Sequence, residues 1–226
     1  MFKSLKGVIG ATVVGFFMLA APVAAEIELS FYGGTQSSPH SRVTGTYPTG
    51  AGGGLDGTTY SNLIGWDGKS FSMPPYYGVR AMFWRPNDIG WGVEFAHTKV
   101  YAPTAEMPAG FSRLEFTDGH NIFTANVMKR WPDRWKNLTP YAGVGVGFAL
   151  PHVDVTVGGS RTYGYQLTGP AAKLIAGVKY DINDRWAVFT EYQFTWSDNN
   201  VTLSGGGTLN TRIISNAINF GVAVKF

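Results

Sequence analysis

The chain has no cysteine, which excludes disulfides, thiolate metal centres, c-type haem attachment and cysteine nucleophiles. Charge is also scarce. Asp, Glu, Lys and Arg make up 15% of the 226 residues, against about a quarter in ordinary soluble domains. The net charge of +3 comes without a basic run, so nucleic acid is not expected as a partner. After residue 25 no apolar stretch approaches the ~20 residues that a membrane helix needs. Catalytic serine arrangements, phosphate-binding glycine loops and zinc-protease motifs are absent. Gly50-Ala51-Gly52-Gly53-Gly54 lacks the strand-to-helix setting of a nucleotide loop and reads as a flexible linker.

What is present begins with an address. Lys3 and Lys6 precede an apolar run from Val8 to Leu19, and small residues follow through Ala24-Ala25. This is the layout of a secretory signal peptide. Residues 1–25 are expected to be removed after Ala25, leaving one domain, 26–226. A retained membrane helix is the alternative, and the run is short for it.

The mature chain alternates. Trp186, Val188, Tyr192, Phe194 and Trp196 fall on one face of an extended segment, with Ala187, Phe189, Glu191, Gln193 and Thr195 on the other. Ala142, Val144, Val146 and Phe148 alternate with Gly143, Gly145 and Gly147, and the chain ends in an amphipathic strand closing on Phe226. Segments apolar outward and small or polar inward are the membrane-barrel pattern. The expected fold is all-β, an eight-stranded antiparallel transmembrane β-barrel with strands near 26–36, 70–84, 89–101, 112–130, 139–150, 164–181, 186–197 and 210–226. Three short periplasmic turns and four longer extracellular loops (37–69, 102–111, 151–163, 198–209) connect them. An eight-stranded barrel is filled by side chains, so this is not a porin. Trp84, Trp91, Trp131, Trp135 and Trp186 lie beside the short turns, as an interfacial aromatic belt would. Arg80, Glu94, Lys173 and Glu191 have inward parity, and opposite charges in a narrow interior are expected to pair.

The four histidines, His40, His97, His120 and His152, all thread to the outer end. Asp118 and Asp154 each lie two residues from a histidine, and Arg42, Lys99, Arg113, Glu115, Arg161 and Arg212 share that rim. Imidazole with carboxylate can ligate a metal or move protons. Chance placement of histidines at loop edges is the alternative. Strict alternation puts His97 on the lipid face.

Several blocks carry a resemblance. They include Pro39-His40-Ser41-Arg42-Val43, Gly65-Trp66-Asp67-Gly68-Lys69-Ser70-Phe71 and Met73-Pro74-Pro75-Tyr76-Tyr77-Gly78-Val79-Arg80. Phe95-Ala96-His97-Thr98-Lys99-Val100-Tyr101, Leu114-Glu115-Phe116-Thr117-Asp118-Gly119-His120-Asn121, Pro151-His152-Val153 and Tyr165-Gln166-Leu167-Thr168-Gly169-Pro170 complete them. These resemble the lipid A oxidase family of rhizobial outer membranes. The resemblance implies dioxygen-dependent oxidation of the proximal glucosamine of lipid A to 2-aminogluconate, with release of hydrogen peroxide and involvement of divalent cations. From the residues themselves, His40, His120, His152, Asp118 and Glu115 are the candidate catalytic groups. His40, His97, His120 and His152 are candidate ligands of a divalent metal, and Arg42, Lys99 and Arg113 candidate substrate-binding cations. No flavin or nicotinamide site is visible. The expected partners are lipid A and the surrounding outer-membrane lipids, and the barrel is expected to be a monomer. Pro74-Pro75 and Gly169-Pro170 could open a lateral gap, since proline donates nothing to a ladder; a simple bulge is the alternative. Two other readings stand: a non-catalytic structural or adhesive barrel, and a lipid A deacylase using Ser41, Ser37 or Ser38.

Overall fold

The computed structural model describes residues 26–132 and 134–226; the expected signal peptide lies outside the described residues. Among these residues the chain is all-β apart from one short helical turn, Thr104–Glu106. The strands are β1 (Glu26–Ser37), β2 (Ser41–Thr46), β3 (Thr59–Ile64), β4 (Tyr77–Trp84), β5 (Ile89–Tyr101) and β6 (Phe111–Arg130). They continue with β7 (Leu138–Ala149), β8 (His152–Val157), β9 (Ser160–Tyr165), β10 (Gly169–Asp181), β11 (Trp186–Thr202) and β12 (Thr208–Lys225). Eight of them, in the order β1-β4-β5-β6-β7-β10-β11-β12, form an antiparallel sheet that closes when β1 pairs with β12. The closing register runs from Glu28 opposite Lys225 to Ser37 opposite Asn216. No strand edge of that ring is left for hydrocarbon, which could not satisfy it.

The remaining four strands form a second storey. A strand spans the membrane with about 9–11 residues, but β6, β11 and β12 have 20, 17 and 18, so their outer ends continue above it. β1 and β7 stop at Ser37 and Ala149, and β4 and β10 begin only at Tyr77 and Gly169. Hairpins fill the vacated places. β2–β3 pairs onto β12, from Thr46 opposite Thr208 to Val43 opposite Thr211. β8–β9 pairs onto β6, from Phe111 opposite Val157 to Phe116 opposite Val153. Both hairpins lie in stretches the sequence assigns to loops, except that Gly164 and Tyr165 at the end of β9 fall in the expected sixth strand. The second and sixth barrel strands are correspondingly shorter than expected, starting at 77 and 169 instead of 70 and 164. Pro170 sits within an unbroken β7–β10 ladder opposite Phe148, so no lateral gap opens there. Pro74 and Pro75 lie in the connection before β4.

Inside, three layers stack. Near the periplasmic end Met82, Trp84, Met128, Tyr141 and Phe189 form an apolar cluster. Trp84 is therefore turned inward, 3% exposed, while Trp91, Trp131, Trp135 and Trp186 are exposed as a belt requires. The Arg130 guanidinium covers Trp84, 4.6 Å from its ring. Above lies a closed charge network. Arg80 donates to Glu94 at 2.7 Å and to both oxygens of Glu191 at 2.8 and 3.0 Å. Lys173 donates to Glu94, which also accepts from Tyr32 and Asn126. Two cations and two carboxylates thus cancel where solvent is excluded. The third layer is the apolar core of the upper storey, with Val43, Tyr60, Ile64, Phe111, Leu114, Phe116, Val153, Val155 and Leu209. It caps the lumen. Beside Glu28, Ser30, Arg80 and Tyr141 the interior leaves about 10 Å³, room for about one water.

Because Glu94 is the acceptor for two buried cations, Glu94→Ala should lower folding stability by about 3–5 kcal/mol. This is read as a shift in the denaturant midpoint of the barrel in detergent. Glu94→Gln combined with Lys173→Met, which removes one charge of each sign, should recover much of the loss.

Candidate functional site

With the lumen capped by the upper apolar core, the outer wall is the surface left open to a ligand. The best candidate is the outward face of β6, β8 and β9, which continues the barrel wall above the lipid. Alternation along these strands decides what it shows. Leu114, Phe116, Val153, Val155 and Val157 turn into the core, so Arg113, Glu115, His152, Asp154, Arg161, Tyr163 and Tyr165 turn out. The register aligns them in rows: Glu115 beside Asp154 beside Tyr163, and His152 beside Tyr165.

Asp154 organises the upper part of this face. Its side chain is 1% exposed, yet it accepts from Arg161 Nε and Nη2 at 3.0 and 2.9 Å and from Arg113 Nη1 at 2.9 Å. Burial alone would raise its pKa; the hydrogen bonds and charges of the two arginines outweigh that and hold it below the ordinary carboxylate value. Arg113 also reaches Glu115 at 3.2 Å. Both guanidinium groups remain about half exposed.

Below, the His152 ring lies between Tyr163 and Tyr165, with centroids 4.4 and 4.8 Å away in edge-type contacts. Its Nδ1 is 3.6 Å from Asp118 Oδ2 and has no hydrogen-bond partner, though buried. His97 lies on the outward side of β5, as its parity predicts, stacked on Tyr77 at 5.2 Å. Its Nδ1 is 2.9 Å from Asn121 Oδ1. That oxygen can only accept, so Nδ1 carries the proton and Nε2, buried and unpartnered, is a free lone pair. A bulge in the β5–β6 pairing after Thr98 and Gly119 at φ +97° make this possible. Any Cβ at Gly119 would stand 2.3 Å from His97 Nδ1.

The expected four-histidine site does not assemble. All four imidazoles are toward the outer end, but on different surfaces. His120 faces the lumen, 1% exposed, bonded to Thr98, Ser197 and Asn199 beneath the apolar cap. His40 is exposed at the start of β2, its ring against Gly65. Among the described residues no group of three or more His, Cys, Asp or Glu side chains is arranged to hold a metal ion, so the residues present do not fit the implied cation. Of the expected substrate-binding cations, Arg113 is on the β6–β8–β9 face. Arg42 bonds Ser61 on the β2–β3 hairpin, across the ring. Lys99 is fully buried, its Nζ donating to the Ser72 and Pro74 carbonyls at 2.8 and 3.0 Å, where it holds the connection before β4 against the wall. Tyr163, Tyr165 and Asn121 were not anticipated. The signal for the tyrosines was readable: alternating valines, a Gly158-Gly159 turn and alternating Arg161, Tyr163 and Tyr165 make a hairpin pattern.

No family model matches the chain, and no curated protein does. Solved structures do. Neisserial surface protein A is 16% identical with a TM-score of 0.49, covering 89% of this chain and 97% of its own. The outer membrane protein OprG from Pseudomonas aeruginosa is 13% identical with a TM-score of 0.45, covering 90% and 96%. The N-terminal β-barrel domain of OprF from the same species is 11% identical with a TM-score of 0.45, covering 89% and 97%.

The two-arginine clamp makes the hairpin's acid response specific. A depressed folded-state pKa means that Asp154 stabilises fully above the ordinary carboxylate value, about 4, and that this is lost only as pH falls through the lower folded value. Amide-exchange protection of Val153–Val157 should therefore stay level down to about that value and fall below it. Asp154→Asn should show weaker protection at neutral pH and no such fall.

Proposed function

We propose that this outer-membrane barrel acts on lipid A from the side, and that the reaction is the one the family resemblance implies, oxidation of the proximal glucosamine. The observation that carries the reading is the pair His152 and Asp118, which sits on the outer wall instead of in the sealed lumen. Counting up β6 from Arg130, the ~10 residues of a membrane crossing end near Asn121. Asp118 and His152 then stand where acyl chains give way to sugars. A lipid moving in the outer leaflet can reach them without leaving the membrane.

The chemistry suits a substrate whose proximal sugar has lost its 1-phosphate and carries a free C1 hydroxyl. An imidazole oriented by a carboxylate takes the hydroxyl proton: His152 Nδ1 faces Asp118 Oδ2 at 3.6 Å, and Nε2 is the nitrogen that accepts it. The C1 hydrogen passes with two electrons to dioxygen as C1 becomes a carbonyl, and the hydroperoxide formed takes the proton back from the imidazolium and leaves as hydrogen peroxide. The resulting lactone opens with water to 2-aminogluconate. Arg113 and Arg161 supply cationic donors for the anionic groups of the headgroup. The deacylase reading has less support: Ser41 Oγ is 3.0 Å from Thr211 Oγ1 and accepts from Trp66 Nε1 at 2.7 Å, and the buried Ser38 Oγ is 3.2 Å from Ser215 Oγ. The serine that does touch a histidine, Ser197 beside His120 at 3.0 Å, is sealed inside. A non-catalytic surface barrel is the second reading, favoured by the upper storey's own apolar core, which builds a rigid exterior whether or not it reacts.

Expressed in an outer membrane whose lipid A lacks the 1-phosphate, the wild-type chain should add one oxygen to the proximal sugar, detected by mass spectrometry. His152→Ala should reduce conversion about 100-fold or more, whereas His120→Gln, if folded, should leave it near wild type. Unchanged lipid with correctly inserted wild-type protein would favour the non-catalytic reading, and loss of an acyl chain the deacylase.

A further inference from the structure

Tyr163 and Tyr165 are 58% and 59% exposed, yet neither hangs free. They occupy alternate positions of β9 and so share its outward face. The Arg161 guanidinium lies 4.5 Å from the Tyr163 ring centroid, and the His152 ring is wedged against both tyrosines. The seam between β9 and β11 is stitched by side chains: Gln166 donates to the Thr202 carbonyl and accepts from the Thr202 amide, at 2.9 and 3.0 Å, and Thr162 accepts from the Ser204 amide. The two rings are thus carried on a fixed strand. Beside them, the Nδ1 of His152 is buried without a hydrogen-bond partner, 3.6 Å from Asp118 Oδ2, and Arg113 and Arg161 are pinned by one buried carboxylate with half their surface open.

We propose that Tyr163 and Tyr165 are a saccharide platform, on which the aminosugar of an outer-leaflet phosphoglycolipid lies against His152 while Arg161 and Arg113 receive its phosphate. The inference rests on the reading above for the class of lipid and not for the reaction. Aromatic rings present an apolar face with a polar tip, which matches the C–H face of a pyranose and its hydroxyl rim. Guanidinium groups match phosphate oxygens. The order along β9 fits a glycolipid standing in the leaflet: Tyr165 nearest the membrane, then Tyr163, then Arg161. Acyl chains would run down the exposed wall below. A merely interfacial tyrosine needs neither the arginine beside it nor a histidine wedged behind it.

The test is binding by the whole barrel in detergent, with three probes: lipid A lacking only the 1-phosphate, the same glycolipid without phosphate, and phosphatidylglycerol. Wild type should prefer both glycolipids to phosphatidylglycerol. Tyr163→Leu with Tyr165→Leu should weaken glycolipid binding about 10-fold, and Tyr163→Phe with Tyr165→Phe should retain most of it. Arg161→Gln should weaken binding of the phosphorylated glycolipid and not of the phosphate-free one. Retained folding of each variant is read from its heat-modifiable gel mobility. Equal binding of phosphatidylglycerol, or a leucine pair that binds like wild type, would overturn the platform. Wild-type protein that binds the glycolipid but never oxidises it would leave the platform standing and remove the reaction. A leucine pair that oxidises at the wild-type rate would do the reverse.

Discussion

Hydrocarbon offers no hydrogen-bond partner to a strand, so each backbone donor and acceptor at membrane depth has to be met by another strand. In this chain the requirement is satisfied by the pairing of β1 with β12. Once that ring is closed, the twofold period of a strand divides every residue between lumen and wall. The charge network of Arg80, Glu94, Lys173 and Glu191 belongs to the first compartment, and His97 and His152 to the second. No side chain can serve both. Function follows from that division, because the lumen is filled at the bottom by aromatics, at mid-height by ion pairs, and at the top by the core of the second storey.

The second storey is a consequence of strand length. β6, β11 and β12 outrun the membrane, and their outer ends would be bare edges above it. The β2–β3 and β8–β9 hairpins pair with them, and where backbone ladders end, side chains such as Gln166 take over. This blunts edges that would otherwise recruit other chains. It also extends the wall upward, so that residues on β8 and β9 meet the sugar layer at a defined height.

How much of this was legible in the sequence depended on the kind of information needed. The ring itself was readable because lipid imposes strict alternation, and segments such as Trp186–Thr195 display it directly. Inward parity also placed Arg80, Glu94, Lys173 and Glu191 in the lumen before their partners were known. The hairpins were missed because Val153, Val155 and Val157 lie in a stretch read as a loop, between two stronger strands. The histidine site failed for a different reason. Height along a strand can be counted, but side follows parity, which turns His97 and its partner Asn121 outward while the next pair, Thr98 and His120, faces in. Four imidazoles at one height therefore ended on different surfaces. Trp84 was misassigned by the same mechanism: it stands beside a short turn like its neighbours, and its parity points inward.

The central claim is that the face bearing His152, Asp118 and the two tyrosines looks sideways into the headgroup layer outside the cell. The chain contains no cysteine, so a single Tyr165→Cys substitution gives a unique reporter. A fluorophore attached there, with the protein in bilayers carrying spin labels at defined depths, should be quenched most by headgroup labels, and the thiol should react with an impermeant reagent on intact cells. Strongest quenching by mid-chain labels, or protection of the thiol from outside, would contradict the placement on which the account rests.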